Sequence, residues 1–159
     1  PGLSRRAGAE RLENAQLEPA NRWLDHLRQN WHAARPKASS RLIVASDGEA
    51  PEILADPRLE QAVLNLLNNA ANATTSPLEL RLSWCSATIC IEIRDHGPGF
   101  PEQVLELGGH EAFPAHQRGS GIGLILTRSA IEQLGGTLTL LNPEEGGALA
   151  RIELPRIKP

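Results

Sequence analysis

The sequence predicts a two-layer α/β (α+β) sandwich, in which a mixed, mostly antiparallel sheet carries helices packed on one face. Three observations predict it. Residues 78–84 with 88–94, and 137–141 with 148–154, alternate apolar and polar side chains across short turns, the pattern of two hairpins. Three other stretches repeat apolar residues at helical spacing. The elements arrive as helix, strand, helix, two strands, loop, helix, two strands, so neighbouring strands joined by short turns pair antiparallel and the helices share a face.

Residues 1–18 are polar, lack a sustained apolar period and read as a linker from a preceding domain. Pro19 opens a helix in which Trp23, Leu24, Leu27, Trp31 and Ala34 recur at spacings of three and four, and Pro36 stops it. Leu42, Ile43 and Val44 form a short strand before an Asp47-Gly48 turn, and Ile53-Leu54 begin another extended piece. Asp56-Pro57 supplies a side-chain cap followed by proline at the first helical position, opening a helix to about Ala73. After the first hairpin, residues 95–123 are Gly/Pro-rich. A helix from about Gly123 to Leu134 ends at Gly135-Gly136, and the second hairpin turns within residues 143–147.

The length of 159 residues suits one domain with one core, and 40% apolar with 22% charged residues is ordinary for a globular protein. With two Phe, three Trp and no Tyr, the core has to be Leu, Ile, Val and Ala. The net charge of -3, with sixteen basic residues scattered among nineteen acids, argues against a nucleic-acid partner. Apolar runs such as Leu124-Ile125-Leu126 fall far short of the ~18 residues of a spanning helix. No signal-peptide pattern opens the chain. A start at Pro1 rather than Met leads us to expect a piece of a longer protein, whose other parts include a membrane anchor. Cys85 and Cys90 lie in an apolar segment, where odd spacing on one strand points them to opposite faces as buried free thiols. Their spacing supports no metal site.

Three segments carry chemistry. On the 57–73 helix, Leu59, Val63, Leu66, Leu67 and Ala70 make one apolar stripe, and Asn65, Asn69 and Asn72 make another roughly opposite. Asn is a poor helix former, so four Asn at 65, 68, 69 and 72 are a local cost. An amide oxygen can ligate Mg²⁺ while the amide nitrogen donates to phosphate; a solvated polar face is the other reading. Asp95-His96-Gly97-Pro98-Gly99 follows a strand, where a carboxylate can accept from an exocyclic amine such as that of adenine and glycines let the backbone approach a ligand. An ordinary turn has the same composition. Gly119-Ser120-Gly121-Ile122-Gly123-Leu124 stands just before a helix, where successive N–H groups make an anion site. It is neither a GxGxxG after a strand nor a P-loop.

In this order the segments resemble the histidine-kinase branch of the superfamily that includes gyrase B, the Hsp90 chaperones and MutL (GHKL), with its Bergerat ATP-binding fold. LEQAVLNLLNNAANA resembles the N box, DHGPGF the first glycine box, RGSGIGL the second, and LGGTLTLLNPEEGGALARIELP the closing segment. The resemblance covers about residues 19–155. NLLNNAANAT and RAGAER are similar to the Reg/Prr/Rox-type redox-responsive kinases.

The resemblance implies an ATP-binding catalytic domain over residues 19–159 of a two-component sensor histidine kinase. It would transfer the γ-phosphoryl of Mg-ATP to a histidine on its own dimerisation and phosphoacceptor domain, for relay to a response regulator. Asn69 would hold Mg²⁺, and Asn65 would assist at metal or phosphate. Asp95 would bond the adenine amino group in a pocket shaped by Gly97, Gly99 and Phe100. Arg118, Gly119, Ser120, Gly121, Ile122, Gly123 and Leu124 would close over the phosphates, with Asn72 near them. Residues 100–118, including Phe113, would form a mobile lid with few core anchors. The chain departs from the family pattern at Asn72, Ala73, His96 and Ala148. None of the histidines at 26, 32, 96, 110 and 116 lies in a phosphoacceptor helix motif. The domain is expected in the cytoplasm, on a parent in the bacterial inner membrane. The alternatives are an anti-sigma-factor-type serine kinase, against which Asn65 counts because that branch uses Glu there, and a non-catalytic nucleotide-gated interaction module. A hydrolysing ATPase of the gyrase type is a weaker fit.

Overall fold

The computed structural model describes residues 16–107 and 121–157. Its elements are β1 (Leu17–Pro19), α1 (Ala20–Ala34), β2 (Ser40–Val44), β3 (Glu52–Leu54), α2 (Pro57–Ala73), β4 (Leu78–Trp84), β5 (Thr88–Asp95), α3 (Glu102–Leu107), α4 (Gly121–Gln133), β6 (Thr137–Leu141) and β7 (Ala148–Pro155). The main sheet runs β2-β4-β5-β7-β6, antiparallel except for β2 beside β4. That parallel pair follows from the α2 crossover between the two strands, since a tight turn cannot join parallel neighbours.

Alternation decides the layers. Leu78, Leu80 and Leu82 of β4, Ile89, Ile91 and Ile93 of β5, and Ala148, Ala150, Ile152 and Leu154 of β7 all point into one core. The intervening positions form the outer face, where Arg151 pairs with Glu92 and Arg41 with Glu79. Onto the inner face pack Trp23, Leu24, Leu27 and Trp31 of α1, the apolar stripe of α2, and Leu124 and Ile131 of α4. The expected sandwich is therefore the fold.

Helix α2 starts as its sequence requires. Asp56 accepts from the Arg58 backbone N–H at 2.8 Å and from its guanidinium at 2.8 Å, with Pro57 in the first turn. Arg58 beside it, chiefly through that side-chain hydrogen bond, holds the Asp56 carboxyl below the usual carboxylate range, against the opposing effect of burial. Helix α4 ends where the Gly135-Gly136 pair predicts, with Gly136 N–H donating to the Ile131 carbonyl at 2.9 Å.

Several expectations need correction. Leu17–Pro19, at the edge of the expected linker, pairs antiparallel with Glu52–Leu54 as a separate two-stranded sheet; the remainder of that linker, residues 1–15, lies outside the described residues. Helix α4 begins at Gly121, so Gly121, Ile122 and Gly123 occupy its first turn rather than preceding it. The Gly/Pro-rich region contains α3, and Phe100 and Val104 are both core residues, so the start of the expected lid is anchored. Its remainder, residues 108–118, lies outside the described residues. Cys85 and Cys90 are not on one strand, because β4 ends at Trp84 and the turn separates them. Cys85 Sγ touches Thr88 Oγ1 at 3.3 Å, on the same outer face as Cys90. Cys85 is exposed and Cys90 half-buried, so neither is a core thiol.

Candidate nucleotide site

The end of central strand β5 and the C-terminal half of α2 build the site together. Asp95 is the last residue of β5, opposite Ala148 of β7, and is only 1% exposed. Its Oδ1 accepts from the Gly97 N–H at 2.9 Å, which folds the chain back sharply after the strand. A side chain at Gly97 would meet the Ala73 carbonyl at 2.9 Å and Thr74 Cβ at 3.3 Å, so glycine here lets the turn lie against the end of α2. Gly99, at φ +87°, then reverses the chain beside Asn142. Asn142 clamps the next residue reciprocally: its Oδ1 accepts from the Phe100 N–H at 2.8 Å, and its Nδ2 donates to the Phe100 carbonyl at 2.9 Å.

Asn69, Asp95, Phe100, Ala148, Leu66 and Ala150 border one small cavity, which Ala70 and Ile93 complete. Within it the Oδ1 of Asn69 is buried without a hydrogen-bond partner. An unsatisfied buried amide oxygen costs about 1–3 kcal/mol unless a water, ion or ligand meets it. Asn65, one turn earlier, accepts from Gln61 at 3.0 Å and reaches Thr127 Oγ1 of α4 through a long 3.5 Å contact. The other two asparagines are already engaged. Asn68 Oδ1 takes the Trp31 indole N–H at 2.9 Å, and Asn72 Oδ1 takes an Arg35 N–H at 2.9 Å. A merely solvated polar face would not divide in this way.

The structure thus brings Asn69, Asp95 and Phe100 to one cavity, with Gly97 and Gly99 in the turn that joins Asp95 to Phe100, while Asn65 lies one turn earlier on α2, toward α4. Asn72 sits at the exposed rim, tied to α1. Leu124 is a core residue, and the backbone of Gly121, Ile122 and Gly123 opens α4. Arg118, Gly119 and Ser120, with the lid aromatic Phe113, lie outside the described residues. Sequence reasoning missed Thr127 and Asn142. Thr127 is a hydroxyl that follows the apolar run Leu124-Ile125-Leu126 and is buried, which is a readable signal; Asn142, before Pro143 in a turn, has none beyond the commonplace. Among the described residues no cluster of three or more His, Cys, Asp or Glu could hold a metal, and no helix is long and apolar enough to cross a membrane.

Residues 55–158 match the family model for histidine kinase-, DNA gyrase B- and HSP90-like ATPases. The C4-dicarboxylate transport sensor protein DctB of Pseudomonas aeruginosa is 34% identical over 158 residues, covering 92% of this chain and 25% of DctB. The sensor protein CseC of Streptomyces coelicolor is 39% identical over 106 residues, covering 64% of this chain and 20% of CseC. The mycobacterial sensor histidine kinase MprB superposes with a TM-score of 0.72 at 25% identity, over 89% of this chain and 97% of that one. The catalytic domain of the histidine kinase ThkA does so with a TM-score of 0.74 at 23% identity, over 90% and 96%, which shows the shared fold. The fold and site define an ATP-binding domain, and the chain belongs to the histidine kinase-, DNA gyrase B- and HSP90-like ATPase family. It spans a quarter or less of the length of the two curated relatives named above.

Proposed function

We propose that this chain is the catalytic domain of a sensor histidine kinase, whose folded unit takes in the β1 residues Leu17–Pro19, with the residues before them leading from a dimerisation and phosphoacceptor domain. The orphaned buried oxygen of Asn69, in one cavity with the buried Asp95 carboxylate, carries the reading. Asp95 would accept from the adenine amino group, with Gly97 and Gly99 setting the backbone against the base. Asn69 and Asn65 fit Mg²⁺, which takes few protein oxygens and keeps the rest of its shell for water and phosphate. The ion would neutralise charge on the transferring phosphates.

The chain's own residues do the positioning on which phosphoryl transfer depends. Asp95 and the Phe100–Asn142 clamp fix the base end. The asparagines orient the phosphate end, and the amides at the α4 N-terminus would face the phosphates, a role the resemblance extends to Arg118 and Ser120. The acceptor would be a histidine outside this chain, whose imidazole lone pair needs no strong base, and a response regulator would take the phosphoryl group next. The parent would hold this domain on the cytoplasmic side of the membrane, where ATP is available; the sensor relatives support that placement. The redox-responsive subgroup rests on the NLLNNAANAT and RAGAER segments alone.

Mixing the chain with Mg-ATP and a separate acceptor-helix domain tests the reading. Acid-labile, alkali-stable phosphate should form on the acceptor and not on the chain alone. Label on a serine would favour the serine kinase, and nucleotide binding without transfer would favour the interaction module. Self-labelling lost in a His110/His116 double substitution would overturn the need for an acceptor domain.

A further inference from the structure

Helix α2 is the floor of a groove with two unlike walls. Asn65, Asn69 and Asn72 fall within an arc of about 60° at 100° per residue. One wall is α4, which meets Asn65 through Thr127. The other is α1 with the residue that ends it: Trp31 donates to Asn68, and Arg35 to Asn72.

The two helices flanking this floor can be aligned along it. Thr127 lies at Asn65, whereas Leu134, later in the chain, lines a groove with Leu59, earlier on α2. Helices α2 and α4 are therefore antiparallel. Six residues before Thr127, about 9 Å along the axis, the first turn of α4 at Gly121 comes level with the end of α2 near Asn72. Arg35 and the amides that open α4 thus stand on opposite sides of the same end of the floor.

Arg35 is fixed at its backbone and available at its head. Its N–H is held by the Trp31 and His32 carbonyls at 3.1 Å each, as the cap of α1. Of the donors on its guanidinium, one is placed on Asn72, and among the described residues no carboxylate forms an ion pair with it. Lys37 adds a second cation beside it, where both line an open cavity of about 400 Å³ with Thr74 and Ser76. A planar guanidinium with spare donors, pre-positioned by an amide, suits phosphate oxygens.

Building on the nucleotide site proposed above, we propose that Arg35 is a phosphate-binding residue of the α1 wall. Asn72 holds it, and its remaining N–H groups meet the terminal phosphates of ATP across the groove from the α4 N-terminus. Asn72 is then a positioning residue, which supplies charge at this point of α2 through Arg35 rather than from its own side chain.

The test is calorimetric titration of wild type, Arg35→Ala and Arg35→Gln with Mg-ATP, ADP and AMP at fixed ionic strength, with a thermal melt of each variant. Arg35→Gln keeps a neutral donor for Asn72 and guards against misfolding of the alanine variant. Both variants should bind ATP about tenfold more weakly or worse, ADP less affected, and AMP as wild type does. Arg35 could instead serve only the negative C-terminal end of the α2 dipole. The melting temperature would then fall while the ATP to AMP affinity ratio stayed at the wild-type value, and that result would overturn the proposal. Wild type failing to bind ATP at all would sink the nucleotide site itself, whereas normal wild-type binding with unchanged variants would remove only the role of Arg35.

Discussion

The two ends of helix α2 are built to opposite specifications. At its start the buried carboxylate is paired: Asp56 caps the helix, Arg58 pairs with Asp56, and Leu59, Ala62 and Val63 go straight into the core. At its end four of the last nine residues are asparagines, Asn65, Asn68, Asn69 and Asn72, and Asn69 leaves a buried oxygen without a partner. The first end is what stability alone would choose. The second accepts poor helix formers and an unsatisfied group, and such costs persist where a ligand removes them. On the proposed function the contrast separates residues that hold the domain from residues that would do its work, and substitutions at each end can break it.

The largest effect is expected at Asn69. Asn69→Ala should abolish nearly all phosphotransfer and most of the Mg²⁺-dependent part of ATP affinity, while the melting temperature holds or rises because the orphaned oxygen is gone. Titration with ATP in the presence and absence of Mg²⁺ measures this, and transfer at the wild-type rate would show that the oxygen has no ligand role. Next comes Asp95→Asn, which should cost ATP about 1.5–3 kcal/mol of binding, the value of one charged hydrogen bond. Inosine triphosphate, lacking the exocyclic amine, should lose much less; equal losses would contradict an adenine contact.

At the other end the sign of the contrast reverses. Asp56→Ala should cost about 1 kcal/mol of folding stability through the lost cap, read by urea unfolding, with ATP affinity unchanged. Because Arg58 depresses the Asp56 carboxyl in the folded state, its contribution is present above the unfolded carboxylate range and lost as pH falls through the lower folded value. The gap between wild type and Asp56→Ala should therefore close in acid and stay constant near neutrality. A gap that widened in acid would mean the pairing is misassigned. The smallest effect belongs to the outer sheet face: Glu92→Gln, opposite the part-exposed Arg151, should change stability by no more than about 1 kcal/mol and leave nucleotide binding as it was.

What could be read beforehand followed the range of the signal. Asp56-Pro57, the alternation of Ile89, Ile91 and Ile93, and Gly135-Gly136 are local statements, and each placed an element to within a residue or two. β1 escaped, and the extended piece at Ile53-Leu54 was legible only without its partner, because three residues carry no period and each strand is defined by a partner more than thirty residues away. Helix α3 was hidden in a Gly/Pro-rich stretch that reaches the core through isolated side chains such as Phe100 and Val104. In the site, the Asn stripe and Asp95 were legible as residue types out of place. That Asn68 and Asn72 turn to Trp31 and Arg35 was not legible, because both pairings cross 37 residues and depend on how α1 lies beside α2. Cys85 and Cys90 were misplaced for a related reason: face alternation holds only within one strand, and a turn intervenes.

The bond from the Trp31 indole to Asn68 gives the domain an optical property. Indole emission responds to the strength of the hydrogen bond its N–H donates, and the acceptor here is the chain neighbour of Asn69. A change on the Asn face of α2 that alters this bond would be reported by a fluorophore on α1. Of the three tryptophans, Trp23 lies in the core and Trp84 ends β4, so neither is tied to the asparagines. With both replaced by phenylalanine, a single intrinsic reporter would remain beside the groove, and its emission colour would track nucleotide occupancy without any attached dye.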